Sequence, residues 1–154
     1  MDAPASSLAA SPKRVDVVLD TNALLDWLIF QSPSCFALGN AVESGSVRLL
    51  TSPSLRGELR HVLARGVVNR WATDFSSLWA ILDQYTIELP DPPMAHGSLS
   101  LRCTDPDDQK FIDFAIAHQA KWLLTRDCAV LKLRKKALAF GLLIASPDAW
   151  SPML

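Results

Sequence analysis

Short strand-like runs that stop at a polar residue and switch at once to helical spacing recur along this chain, and that alternation constrains its fold most. Val15 to Leu19 is a β-branched and leucine run ending at Asp20, after which Leu24, Leu25 and Leu28 supply a helix's apolar face, with Thr21 or Asn22 available to cap it. A helix within Ser34 to Glu43, closed by Ser44-Gly45, precedes a second strand, Val47 to Thr51. Ser52-Pro53 then caps a helix whose buried stripe is Leu55, Leu59, Val62 and Leu63. Residues 67–84 carry Val67, Val68, Trp71, Phe75, Leu78, Trp79 and Leu82 at helical spacing, which predicts one long or kinked helix with a core-facing stripe. Thr86 to Leu89 reads as a minor strand and Pro90 to Ser100 as a loop. Thr104-Asp105-Pro106-Asp107-Asp108 starts a helix running to about Gln119, followed by strand Trp122 to Thr125, helix Ala129 to Phe140 and strand Leu142 to Ala145. Strands alternating with helices predict an α/β fold, a parallel sheet covered on both faces with ligands collecting at the carboxyl ends of its strands.

At 154 residues the chain has the length of about one domain, read here as a flexible tail over 1–13 and a single domain over 14–154. Its 49% apolar content excludes disorder for the bulk of it. Sixteen acids against fifteen bases leave no overall field to draw in nucleic acid or an anionic membrane, so such binding must come from local patches. Cys35, Cys103 and Cys128 show no CxxC spacing, are odd in number and read as small apolar fillers, which fits a reducing, cytoplasmic location. The opening residues lack the basic region and apolar stretch of a signal peptide, and no apolar run approaches the roughly 20 residues that span a bilayer. His61, His96 and His118 lack ligand spacing and read as surface or packing residues.

The acids are the chemically informative residues. Asp20 closes the first strand, Asp127 follows the Trp122 strand, Asp107 and Asp108 open the helix leading into that strand, and Glu58 sits at the border of its helix's apolar stripe. Four carboxylates from four segments can therefore share one rim. Like charges gathered in a partly dry cleft raise one another's proton affinity, and a hard divalent cation such as Mg²⁺ or Mn²⁺ relieves them. Such an ion activates water for attack on phosphorus and stabilises the leaving oxygen. The structural alternatives remain open: Asp20 and Asp127 as caps, and Asp105 as an N-cap ahead of Pro106. On a helical wheel Asp108 lies over the stripe of Phe111, Ile112 and Ala115, Asp107 lies at its edge and Asp113 points away. Glu58, six residues past Ser52 and four past Ser54, has no capping-box spacing.

The runs VVLDTNALL, SLRGELRHVL and CTDPDDQKFIDFAIAHQAKWLLTRDCAVL, in this order, resemble the PIN domain, in particular the branch containing toxin components of toxin–antitoxin pairs. The resemblance implies a three-layer α/β/α sandwich around a mainly parallel sheet, a Mg²⁺- or Mn²⁺-dependent ribonuclease, and commonly a homodimer inhibited by a small antitoxin. Carried over by motif, the acids are Asp20, Glu58, Asp108 and Asp127, with Asn22 and Thr125 as polar supports. Asp107 is the neighbouring choice for the third acid, and Asp105 lies close enough for recruitment through water. Arg126 stands where many relatives have glycine, in position to reach a phosphate or to crowd the mouth.

Other readings are weaker. A haloacid-dehalogenase-like phosphatase needs a second aspartate two residues after the first, where this chain has Asn22. A receiver-like switch needs a lysine at a late strand end, which LLIASP lacks. A PIN-like module that only binds RNA or a partner stays open. For gripping RNA, the candidates are Lys132, Lys135 and Lys136 on one helix face with Arg134 beside it, and Arg56, Arg60 and Arg65 opposed only by Glu58. The alternative for the lysines is simple complementation of a helix dipole. Trp27, Phe30 and the Trp71 to Leu82 stripe offer surface for association, although most should be core.

Overall fold

A computed structural model describes residues 14–93 and 101–151; the tail expected over 1–13, and His96 within the Pro90 to Ser100 loop, lie outside the described residues. The strands are β1 (Val15–Leu19), β2 (Val47–Thr51), β3 (Thr86–Glu88), β4 (Trp122–Leu124) and β5 (Leu143–Ala145). Between and after them come helices α1 (Thr21–Leu28), α2 (Phe36–Ser44), α3 (Pro53–Ala64), α4 (Ser76–Tyr85), α5 (Gln109–Ala117), α6 (Cys128–Leu131) and α7 (Arg134–Ala137). All four strand pairings are parallel and the order is β3-β2-β1-β4-β5, which makes β1 central. The chain builds outward from β1 on one side through β2 and β3, then returns to its other side with β4. Ligands of parallel sheets gather where the winding reverses, here between the ends of β1 and β4.

Alternate strand residues face opposite sides of the sheet, and that parity produces the layers. Val17, Leu19, Val47, Leu49, Trp122 and Leu124 pack with Ala23 of α1 and Leu38, Ala41 and Val42 of α2. Val18, Leu50, Leu123 and Ile144 pack on the other face with Phe111, Ile112, Phe114 and Ala115 of α5 and Val130 and Ala137 of α6 and α7. A third cluster joins α1, α3 and α4 through Leu25, Leu59, Val62, Leu63, Leu78 and Leu82. The expected α/β architecture of helices on both faces of a parallel sheet is therefore present.

Local signals behave as their chemistry requires at several ends. Ser52 Oγ accepts from the Leu55 N–H at 3.1 Å with Pro53 in the first turn of α3. Gly45, at φ +83°, closes α2 in the left-handed conformation. The cap of α1 is neither Thr21 nor Asn22: Asp20 accepts from the Ala23 N–H at 2.8 Å.

Three helices differ from their spacing. The one expected over 67–84 is only α4: residues 67–71 run in turns, with the Asn69 N–H on Gly66 O at 3.2 Å and the Trp71 N–H on Val68 O at 2.8 Å, and Asp74 Oδ1 takes the Ser76 N–H at 3.0 Å where the new helix starts. Val68 is buried, but Val67 and Trp71 are exposed, so this part of the stripe is not core. The helix expected from Thr104 begins at Gln109, because Asp105 Oδ1 accepts from the Asp107 N–H at 2.9 Å and holds the acidic run in a turn. The segment 129–140 is α6, α7 and a 3₁₀ turn, Leu138–Phe140; the Leu133 N–H bonds to Val130 O at 2.9 Å, tightening the chain between the two short helices. Lys132, Lys135 and Lys136 consequently do not share the face of one continuous helix. Of the cysteines, Cys35 is buried, Cys103 partly buried and Cys128 exposed, so Cys128 is no filler. His118 does pack, with its ring on Phe114 and Nε2 2.8 Å from Pro90 O.

Candidate metal centre

Adjacent parallel strands deliver their following residues to the same edge. Leu19 pairs with Leu124, and the Asp20 N–H donates to Leu124 O at 3.1 Å, so Asp20 and the Thr125-Arg126-Asp127 turn emerge side by side. Thr125, fully buried, ties them together: its hydroxyl donates to Asp20 Oδ2 and accepts the Asp127 N–H at 2.9 Å. Asp127 Oδ1 in turn accepts from the Ala129 N–H at 2.8 Å, capping α6. The capping roles left open for Asp20 and Asp127 are thus real, and they fix both carboxylates in place.

The remaining acids arrive on the turn before α5, which Gln109 staples from both ends. Its Oε1 accepts from the Cys103 N–H at 2.7 Å, while its Nε2 donates to Leu101 O at 2.7 Å and to Asp113 Oδ1 at 2.8 Å. Held this way, Asp105 and Asp108 meet Asp127, with one carboxylate oxygen of each within 4.8 Å of the others. Asp105 therefore belongs to the tightest acidic group directly, rather than standing a water's length behind it. Asp108 Oδ2 is buried, and no hydrogen-bond donor among the described residues reaches it.

These carboxyls hold their protons unusually well. Burial raises Asp108 well above the ordinary carboxylate range, to about 8, reinforced by a shared hydrogen bond with Asp127 and by the charges of Asp127, Asp105 and Asp20. Asp20, only 3% exposed, is raised to about 6 by desolvation, which outweighs the bonds from Thr125 and Ala23; Asp127 and Asp26 push it further up. Bringing these groups together in ionised form calls for positive charge from outside the cluster.

Asp20, Asn22, Glu58, Asp105, Asp107, Asp108 and Asp127 all line one open cleft of about 450 Å³. The closest trio does not include Asp20, Glu58 or Asp107. Glu58 is instead held from α5 by Lys110, whose Nζ lies 3.1 Å from its Oε1. Spacing alone gave no signal for Lys110 or Gln109, because both act across elements. Arg65 also lines the cleft, whereas Arg56 and Arg60 lie over the Trp79 ring and Arg56 pairs with Asp83 at 2.8 Å and Glu88 at 3.8 Å. Glu58 is thus not the sole opposing charge along that helix. Arg126 is engaged by Asp26, Ser34 and, at 3.8 Å, Asp148, and does not line the cleft. Lys132, Lys135 and Lys136 are exposed and also lie outside it.

A donor set made wholly of carboxylate oxygens, with a buried orphan oxygen and two strongly raised proton affinities, fits a hard divalent ion. The described residues contain no helix long and apolar enough to cross a membrane.

The PIN domain family matches residues 16–129. Among solved structures, a chain of the crystal structure of VapBC2 from Rickettsia felis bound to a DNA fragment from their promoter has a TM-score of 0.58, at 14% identity over 84% of this chain and 97% of that one. That likeness is one of fold. No curated protein sequence matches. The family match begins within β1 and ends just after Asp127, taking in every acid of the cleft, and the chain accordingly belongs to the PIN domain family.

Proposed function

We propose that this protein is a divalent-metal-dependent endoribonuclease whose centre is built on Asp20, Glu58, Asp108 and Asp127, with Asp105 as a fifth acid. The observation that carries the reading is the convergence of Asp105, Asp108 and Asp127 within 4.8 Å around the orphan Asp108 oxygen. Asp108 and Asp127 would hold a Mg²⁺ or Mn²⁺ ion with Asp20 and Asp105 beside them. When bound, that ion supplies an activated water and charge stabilisation for the departing oxygen of a phosphodiester. Thr125 orients Asp20 and Asp127 together, and Gln109 keeps the Asp105–Asp108 turn against them. Asn22 and Asp107 line the cleft and would bind water or ribose hydroxyls there. Lys132, Lys135 and Lys136 follow Asp127 closely and would track the RNA backbone, contacts that are salt-sensitive and largely blind to sequence.

The same reading makes the chain the toxin half of a cytoplasmic type II toxin–antitoxin pair, with a small antitoxin and a homodimer as its protein partners. Its support is the PIN domain match and the fold shared with the VapBC2 chain. Growth arrest on expression tests that part separately. A second reading, an RNA- or partner-binding module without turnover, draws on one observation: Lys110 already neutralises Glu58.

Asp20→Asn tests the site assignment, and the unsubstituted protein decides between the readings. Asparagine still caps a helix, so the fold should survive, while Mn²⁺-stimulated cleavage of single-stranded RNA should fall by at least about a hundredfold and Mn²⁺ affinity should drop with it. Full cleavage by the variant would overturn the site assignment. Absence of both cleavage and Mn²⁺ binding in the unsubstituted protein would favour the second reading.

A further inference from the structure

We propose that Trp71 and Phe30 form a stacking subsite for an unpaired nucleobase on the wall of the acidic cleft. The proposal rests on the ribonuclease reading for the identity of the ligand as RNA and for the divalent ion that admits its phosphate to the cleft. The two side chains come from different elements, Phe30 from just beyond α1 and Trp71 from the turns after α3, and their ring centroids lie 4.8 Å apart at 80°. Trp71 is 56% exposed, Phe30 37% and the neighbouring Val67 56%. Seven large apolar side chains are exposed among the described residues, and these three line the same cleft as the acids. Clustering of that kind, in place of scattered singles, marks a binding surface.

Trp71 is positioned and not merely left over. The Trp71 N–H donates to Val68 O at 2.8 Å, and Val68 is anchored in the cluster shared by α1, α3 and α4. The shelf is therefore tied to the core while its ring stays in solvent.

The rest of the lining selects the occupant. Asp20, Glu58, Asp105, Asp108 and Asp127 share the cleft with Arg65, so a wholly apolar partner laid across it would bury carboxylates without compensation. A nucleotide offers a flat base for the aromatic pair and, once a divalent ion neutralises the carboxylates, a phosphate that the ion and Arg65 would hold beside them. Bases stacked in a duplex present no free face, so the subsite would favour single strands.

The test measures anisotropy of a fluorescein-labelled oligouridylate and of an abasic ribose-phosphate chain of equal length, in Ca²⁺ in place of Mn²⁺, with gel analysis to establish that the probe stays whole. Ion and salt act on both probes through their phosphates alone, so the ratio of the two affinities reports the base. Trp71→Ala should weaken oligouridylate binding about tenfold and leave the abasic chain unchanged; Trp71→Phe should recover most of the loss. Phe30→Ala, at the other half of the pair, should lose base-dependent affinity in the same sense, so the result does not hang on one variant. Equal losses for both probes, no loss in either alanine variant, or no binding of oligouridylate by the unsubstituted protein would overturn the proposal; unchanged RNA affinity is also the outcome expected if a protein partner covers Trp71 instead. Cleavage of the same oligomer with Mn²⁺ judges the nuclease reading independently.

Discussion

Asp16 and Asp20 belong to the same stretch of chain, near opposite ends of the central strand, and their surroundings are opposites. Asp16 meets Arg48 on β2 in a two-pronged pair, Oδ1 with Nε at 2.7 Å and Oδ2 with Nη2 at 2.9 Å, half open to solvent. Asp20 is buried, receives only a hydroxyl and a backbone amide, and faces further carboxylates. One end of β1 carries its own counter-charge; the other leaves its negative charge to be matched from outside. A structural aspartate and a functional one are thus separated by what surrounds them, since residue type and strand are shared.

The largest stability effect in this contrast belongs to Thr125. Thr125→Val keeps the shape but removes the donor to Asp20 and the acceptor for the Asp127 N–H, and should cost about 1–3 kcal/mol by chemical denaturation. A cost below that range would mean the two strand ends are held by the sheet alone.

The dependence on pH should come next. In the metal-free protein the folded state binds protons at Asp108 and Asp20 more tightly than the unfolded chain does, so stability rises as pH falls, first through about 8 and then through about 6, towards the ordinary 3.8. Thermal melts in EDTA should therefore show a higher Tm at pH 5.5 than at pH 8, and Asp108→Asn should flatten the upper part of that slope. Added Mn²⁺ should stabilise most at the alkaline end, where its ligands are already ionised. A melt that is flat in EDTA would remove the electrostatic argument for the centre.

Lys110→Met sharpens the same comparison from inside the cleft, because it strips Glu58 of its only ion-pair partner among the described residues. Mn²⁺ affinity by calorimetry should rise, by about threefold for a partly solvated charge; a fall would mean the lysine positions Glu58 for the ion instead of competing with it. The smallest change is expected at the far end of β1. Arg48→Met should cost only about 0.2–1 kcal/mol, as exposed ion pairs do, and leave Mn²⁺ binding alone.

Much of the architecture was legible because each element buries one face. The parity of Val17, Val18 and Leu19 and the stripe of α3 report burial directly, and the strand ends then place Asp20 and Asp127 at one edge. The failures share a cause. Trp71 continues a helical spacing that Asp74 interrupts, and the Asp105 run looks like a helix start although its side chain hydrogen-bonds its own turn. Asp105 read as a cap, with recruitment through water as the family alternative, when it stands in the closest trio. Short-range side-chain bonds of this kind compete with helix and leave little trace in apolar periodicity.

From the order of its residues alone, this chain is committed to a parallel sheet with acids at the exits of two neighbouring strands, because periodicity encodes which face of an element avoids water. Tertiary structure alone decided which of three clustered aspartates meet, that Lys110 crosses to Glu58, and that Trp71 stays in solvent beside them. Distances between side chains on different elements depend on how the connections fold back and on single hydrogen bonds such as those of Gln109, and no spacing along the sequence records them.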